Sequence, residues 1–186
     1  MKYKFIIFAG IVAVLLSATS CSDDNMKSKV VGEWQLSEFM YEGDDVLPLF
    51  NLLPMDGCSF SNIKLTFQTD DRCYSSACGE KTYGTYQCDH SRSIIAITMS
   101  NVLGEGENDD QLFITAHFSK KEITIPAHQF VVIPNDADFN KEELLEMVKE
   151  LNGELPIEIY NSLVKMVNAL FDDTSTLVFT KVSSKK

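Results

Sequence analysis

The chain has 186 residues, 45% of them hydrophobic, and its 27 Asp and Glu against 16 Lys and Arg give a formal net charge of −11 at pH 7. This acidity argues against nucleic acid or anionic lipid headgroups as partners, because phosphate-rich partners are bound through Lys and Arg. The length suits a single domain with its own hydrophobic core.

The first 20 residues have the composition of an export signal. A basic start with Lys2 and Lys4 precedes an apolar run over residues 5–16, which is too short to span a bilayer comfortably. Small residues follow and end at Cys21, an arrangement that resembles a lipobox. We predict a signal peptide over residues 1–20, a lipid on Cys21 and a polar tether over residues 21–29. The alternatives are secretion with cleavage near Ser20 and no lipid, and a retained membrane anchor.

The predicted lipid defines where the chain resides. Lipid chains on Cys21 anchor a protein to a membrane that it does not span. Asp23 and Asp24 then resemble the surface-export signal of Bacteroidetes-type lipoproteins, and a solvated tether is the equally weighted alternative. We predict an outer-membrane lipoprotein that faces the cell surface or the periplasm. Loss of residues 1–20 removes two lysines and changes the formal charge from −11 to −13.

Short strand patterns begin at residue 30 and recur about every ten residues. The first, over residues 30–41, places Trp34, Leu36 and Met40 on one face. The others cover residues 63–67, 72–75, 81–87, 93–100, 111–118, 123–125 and 129–133. Regular short strands with turns between them predict an antiparallel sandwich or barrel.

A loop over residues 42–61 contains an apolar stretch. Its prolines and glycines exclude a long helix. We interpret the stretch as a lid over the open end of a barrel, and the alternatives are a portal for an apolar ligand or a docking patch for a partner. The apolar residues of the stretch are Val46, Leu47, Leu49, Phe50, Leu52 and Leu53.

The hydrophobic period becomes helical after residue 139. Asn140 and Glu143 have the spacing of a capping box, and Pro156 occupies the place of a first helical residue. Two amphipathic helices are predicted at about residues 140–171, before a final strand over residues 176–182. Their apolar stripes require burial against a barrel mouth or an open sheet edge. The stripes contain Leu144, Leu145, Val148 and Leu151, then Ile159, Leu163, Val164, Met166, Val167 and Leu170.

Four cysteines remain after Cys21. Because export makes disulfides the default, we predict the pairs Cys73–Cys78 and Cys58–Cys88 among the three pairings that four cysteines allow. Zinc is the alternative, although only Cys73 and Cys78 approach the spacing of a zinc-ligand pair.

Residues 32–34 read Gly-Glu-Trp, residues 64–67 read Lys-Leu-Thr-Phe, and residues 83–86 read Tyr-Gly-Thr-Tyr. Together with the closing strand over residues 176–182, these segments resemble the lipocalin-like, or calycin-like, domains of Bacteroidetes-type lipoproteins. The resemblance implies that Trp34 plugs one end of a barrel and packs against Lys181, where the family typically has Arg. It implies a binding module rather than an activity.

No residue pattern predicts catalysis. The three histidines, His90, His117 and His128, lack metal-ligand spacing, and no G-x-S-x-G, phosphate loop or H-E-x-x-H occurs. Residues 136–140 copy the first half of an EF-hand loop, but Lys141 and Met147 stand where Gly and Glu are required. We expect residues 105–110 to form a solvated acidic loop. No enzyme activity, cofactor or metal is predicted.

The predicted fold class is mainly β, as a lipocalin-like antiparallel barrel or strongly curved sheet over residues 30–183, with two helices before the last strand. The first functional hypothesis is a membrane-anchored binding module for a small apolar or amphiphilic ligand. The alternative is a structural or protein-interaction lipoprotein with a filled barrel and no ligand.

Overall fold

The computed structural model describes residues 24–52, 59–100, 111–130, 140–150, 152 and 154–183. The predicted signal peptide and Cys21 lie outside these residues. Over the described residues, nine strands form one antiparallel sheet in the order β2-β1-β3-β4-β5-β6-β7-β8-β9, and β9 pairs back with β1. Eight strands therefore close into a barrel, which confirms the predicted fold class. The strands are β1 (Gly32–Tyr41), β2 (Asp44–Asp45), β3 (Lys64–Phe67), β4 (Arg72–Ala77), β5 (Glu80–Asp89), β6 (Ile94–Ser100), β7 (Gln111–Phe118), β8 (Glu122–Pro126) and β9 (Thr176–Lys181).

Alternation along the strands produces the barrel core. In β6, Ile95, Ile97 and Met99 are buried, whereas Ala96 between them is exposed. Successive side chains of a strand point to opposite faces, so one apolar face lines the interior and the other meets solvent.

A β-bulge in β1 changes which residues face inward. The pairing of β1 with β9 shifts register between Leu36 and Glu38. One extra residue reverses the alternation beyond it, so Phe39 and Tyr41 are buried and Met40 is only partly buried. The expectation that Met40 shares the face of Trp34 and Leu36 is therefore wrong.

Helix α1 (Asp24–Val30) covers the end of the barrel at which β1 begins, called here the lower end. Met26 and Val30 are 1% and 0% exposed, because residues four apart lie on one helix face and pack together against the core. The segment predicted as a polar tether is thus part of the folded domain from residue 24 onward.

Four helices and a 3-10 turn lie at the opposite, upper end, where β1 ends and β9 begins. They are α2 (Leu47–Phe50), the turn Phe60–Asn62, α3 (Ala127–Phe130), α4 (Lys141–Glu150) and α5 (Ile157–Phe171). Helix α5 contacts α2, α3 and α4, and its Met166 and Ala169 belong to the core. The C-terminal half of α5 therefore covers the upper mouth of the barrel, whereas Ile159 in its first half is exposed.

The predicted helical pair is confirmed together with its capping box. The backbone N–H of Asn140 donates to Glu143 Oε2 at 3.1 Å, and the N–H of Glu143 donates to Asn140 Oδ1 at 2.9 Å. Pro156 is the N-cap of α5 rather than its first residue.

The prediction of a strand over residues 129–133 is wrong for its first two residues, because Gln129 and Phe130 are helical. Residues 131–133 lie outside the described part of the chain. Only two residues of β7, His117 and Phe118, are paired with β8. The Thr115 N–H instead donates to the side-chain oxygen of Gln129 at 2.8 Å. The Gln129 side chain thus replaces a strand partner, a role that hydrophobic periodicity cannot indicate.

Candidate functional site

The barrel interior is filled by side chains. Sixteen inward-facing side chains of the described strands are 0–3% exposed. A cavity of ligand size would leave accessible surface on the residues around it, so no such cavity exists between these side chains. The residues are Trp34, Leu36, Phe39, Leu65, Phe67, Cys73, Tyr86, Ile95, Ile97, Met99, Ile114, Ala116, Ile123, Ile125, Leu177 and Phe179.

Trp34 occupies the lower mouth. It is 0% exposed, its Nε1 donates to the carbonyl oxygen of Val30 at 2.7 Å, and its ring meets that of Phe118 edge to face at 6.0 Å. The Lys181 Nζ lies 5.3 Å from the centroid of the Trp34 ring, within the range of a cation–π contact. Partial burial lowers the pKa of the Lys181 ammonium group. Trp34 and Lys181 therefore occupy the positions that the sequence resemblance implies for a barrel-end plug.

The apolar stretch 46–53 is mostly anchored in the core. Val46, Leu47 and Phe50 are buried, and the Phe50 ring stacks on Phe39 with 4.9 Å between centroids. Leu49 is partly buried, Leu52 is 77% exposed, and Leu53 lies outside the described residues. The buried part of the stretch closes the upper mouth as a lid, and Leu49 and Leu52 are its described leucines that face outward.

Leu49 and Leu52 form one wall of a groove of about 350 Å³ on the outside of the upper end. Its other wall is the N-terminal half of α5. We call this site the upper groove, and its lining residues are Leu49, Leu52, Glu158, Ile159, Ser162, Leu163 and Met166. The sequence predicted the stripe of α5 but could not indicate that this stripe meets residues 49–52.

A polar groove adjoins the upper groove and shares Leu49 and Ser162 with it. Lys165 Nζ donates to Asp44 Oδ2 at 2.6 Å across this neighbouring groove. The hydrogen bond and the charge of Lys165 lower the pKa of the exposed Asp44 carboxyl. The ion pair links α5 to β2 and fixes one end of the site.

The structure contradicts one of the two predicted disulfides, the pair Cys73–Cys78. Cys73 is a free thiol, and Cys78 is disulfide-bonded. Cys73 and Cys78 are five residues apart across β4 and its turn, about 16 Å at the rise of a strand, whereas a disulfide spans at most about 7 Å between Cα atoms. The pair Cys58–Cys88 stays a prediction, because Cys58 lies outside the described residues. Burial raises the pKa of the Cys73 thiol to about 12.

The remaining candidate residues are not brought together. His90, His117 and His128 are exposed on separate elements, and Asn140 caps α4. Residues 105–110 and 136–139 lie outside the described part of the chain. No group of three or more His, Cys, Asp and Glu side chains within that part is placed to hold a metal ion. Among the described helices, none is long and apolar enough to cross a membrane.

Comparison with known proteins gives little beyond this geometry. No protein-family model matches the chain, and no curated protein matches it. Among solved structures, the chain is similar to the crystal structure of a DUF4847 family protein from Bacteroides vulgatus, with 12% identity and a TM-score of 0.35. The match covers 52% of this chain and 84% of that one.

Proposed function

We propose that this chain is a membrane-anchored, exported lipoprotein whose filled, lipocalin-like barrel is a rigid scaffold, and whose upper groove binds an apolar segment of a protein partner. One observation carries the proposal: sixteen inward side chains of the barrel are 0–3% exposed, whereas an apolar groove remains open on the outside. We propose a binding role rather than catalysis, at the cell surface or the periplasmic face of the outer membrane.

The filled interior favours the interaction hypothesis over the carrier hypothesis. A carrier that encloses an apolar molecule requires a pocket of roughly 300 Å³ or more within its walls. The side chains of Trp34, Phe39, Phe67, Tyr86 and Phe179 take up that space instead.

The exposure of the upper groove supports docking. Leu52 and Ile159 are 77% and 49% exposed on opposite walls, where burial by a partner would contribute about 25 cal/mol for each Å² of apolar surface. The groove has the form of sites that receive an amphipathic segment, in which a few apolar anchors enter between two helices.

Negative charge around the upper groove indicates which charge a partner segment should carry. Glu154 and Glu158 are exposed at the start of α5, and α4 beside it carries four more exposed carboxylates. An apolar segment with Lys or Arg at its flanks would complement this surface, whereas an acidic segment would be repelled.

The test is the binding of two model peptides, measured by fluorescence anisotropy. One is an amphipathic helix of Leu and Lys, and the other replaces each Lys with Glu. We expect the Lys peptide to bind and the variant Leu52→Asp/Ile159→Asp to weaken binding at least about tenfold, because each exposed anchor loses its apolar contact.

The matched control is Phe113→Asp/Tyr83→Asp, which replaces two exposed aromatic residues on the outer barrel wall. It adds the same charge as the groove variant, so attraction of a cationic peptide to an acidic protein affects both equally. Equal binding by the two variants would overturn the proposal. A stoichiometric small amphiphile in an organic extract, lost in the groove variant, would show that the groove holds a ligand instead.

A further inference from the structure

The charge of this acidic chain is distributed unequally between the two ends of the barrel. At the lower end, Asp70, Asp71 and Asp89 are each ion-paired with a nearby cation. Their partners are Arg72, Lys27 and Arg92, respectively. The negative charge of these three carboxylates is therefore offset locally.

Four exposed lysines remain at the lower end: Lys29, Lys120, Lys121 and Lys181. We call them the basic patch. Across the described residues, none of the four has a carboxylate within ion-pair distance.

The four lysines lie around the end of β9. Lys181 Nζ donates to the Lys29 carbonyl oxygen at 2.6 Å, which joins α1 to β9. Lys120 and Lys121 form the turn between β7 and β8, and Glu122 beside them pairs with Thr180. The sequence places two further lysines, residues 185 and 186, after this strand.

The upper end carries the opposite charge. Carboxylates outnumber lysines in its turns and helices: Glu42, Asp44, Asp45, Glu142, Glu143, Glu146, Glu150, Glu154, Glu158, Asp172 and Asp173 against Lys141, Lys149 and Lys165. The ten residues of β1 span about 33 Å along the strand, or about 25 Å along the axis of a tilted barrel. Since the Debye length is about 10 Å at 0.1 M salt, the acidic end does not cancel the field of the basic patch.

The path of the chain places the basic patch next to the predicted anchor. Asp24 begins α1 at the lower end, and Cys21 is three residues before it. Three residues reach at most about 11 Å. A lipid on Cys21 would therefore hold the lower end against the membrane surface.

We propose that the basic patch binds anionic lipid headgroups of the membrane that holds the lipid on Cys21, so that the barrel stands on its lower end and presents the upper groove away from the membrane. The proposal rests on the lipid anchor of the proposed function. It replaces the expectation from net charge that anionic headgroups are excluded, because a surface responds to the charges nearest to it.

The test is co-sedimentation of the mature chain from residue 21, prepared without lipid, with vesicles. This chain contains every described strand and helix. One vesicle set is pure phosphatidylcholine, and the other contains about one third phosphatidylglycerol. At about 0.05 M salt we expect at least fivefold more bound protein on the anionic vesicles, and loss of that excess at about 0.5 M salt.

Two charge reversals of equal size locate the contact. Lys120→Glu/Lys121→Glu at the lower end should abolish the preference for anionic vesicles, and Lys141→Glu/Lys149→Glu at the upper end should leave it unchanged. Equal binding to both vesicles, or equal loss in both variants, would overturn the proposal. The mass of the native N-terminus tests the Cys21 lipid separately, so failure of the anchor and failure of the basic patch give different results.

Discussion

Lys181 and Trp34 are direct partners across the seam at which β9 closes the barrel onto β1. The Lys181 Nζ stands 5.3 Å from the Trp34 ring centroid and donates to the Lys29 carbonyl oxygen. The Trp34 Nε1 donates to the carbonyl oxygen of Val30. These two hydrogen bonds attach helix α1 to the two strands that close the barrel. The Trp34–Lys181 pair therefore connects the β1–β9 pairing with the helix that covers the lower end.

Replacement of Lys181 should therefore weaken the fold. Lys181→Met keeps much of the side-chain packing but removes the cation over Trp34 and the hydrogen bond to Lys29, and we expect a loss of about 1–2 kcal/mol in the free energy of unfolding. Urea denaturation followed by Trp34 fluorescence measures the loss. Lys181→Arg retains the cation and should cost less; an equal loss in both variants would contradict a role for the charge.

Gly84 is a position where β5 admits no side chain. A Cβ built there would lie 2.1 Å from the carbonyl oxygen of Thr98 on β6. Gly84→Ala should destabilise the barrel by about 3 kcal/mol, because the backbone of β6 must move. In the control Gly79→Ala no atom lies within 4 Å of the new Cβ, so only the cost of the positive φ of +90°, about 1 kcal/mol, applies. A smaller loss for Gly84→Ala than for Gly79→Ala in thermal denaturation would contradict the observed strand contact.

The buried Cys73 thiol should make stability depend on alkaline pH. Burial raises its pKa to about 12, whereas the pKa of a thiol in an unfolded chain is about 8.5. Above that pH the unfolded state loses the proton and the folded state keeps it. Stability should therefore fall by on the order of 1.4 kcal/mol per pH unit as the pH rises through this window.

Cys73→Ala removes that titration while leaving the other titrating groups unchanged. The comparison is urea denaturation of both proteins between about pH 8 and pH 10. The stability difference between wild type and Cys73→Ala should shrink or reverse as the pH rises. A difference that is constant over this range would show that the Cys73 thiol titrates normally in the folded protein.

The capping box at the start of α4 should control that helix locally. Asn140→Ala removes the acceptor for the Glu143 N–H and should cost about 1 kcal/mol, whereas Asn140→Asp retains an acceptor. Hydrogen exchange of the backbone amides of α4 is the appropriate measurement, because a peripheral helix can open without global unfolding. Unchanged exchange in Asn140→Ala would mean that packing against α5, and not the cap, holds α4.

Most of the barrel was predictable because its strands alternate and its turns are short. The register of β6 and β7 places Ile97 opposite Ile114, as the two alternating patterns indicate. The bulge near Ser37 was not predicted, because Phe39, Met40 and Tyr41 are all apolar and their pattern does not show which of them face inward. Helix α1 was missed because only Met26 and Val30 in it are buried, too few for a periodic signal.

The candidate site was predictable in its parts but not in its assembly. The stretch 46–53 and the stripe of α5 were both identified as apolar, yet only tertiary structure shows that Leu52 and Ile159 border one groove. The predicted disulfide Cys73–Cys78 is wrong because adjacency in sequence was used as a guide to adjacency in space. Along an extended strand, the distance between Cys73 and Cys78 grows with every residue.

The central claim is that the barrel is filled and that binding takes place outside it. Native mass spectrometry of the protein purified from its membrane without organic solvent tests the claim most directly. We expect the mass of the chain from Cys21 with its covalent lipid and no enclosed ligand. A near-stoichiometric small molecule that remains bound in Leu52→Asp/Ile159→Asp would contradict it, because such a ligand would occupy the interior.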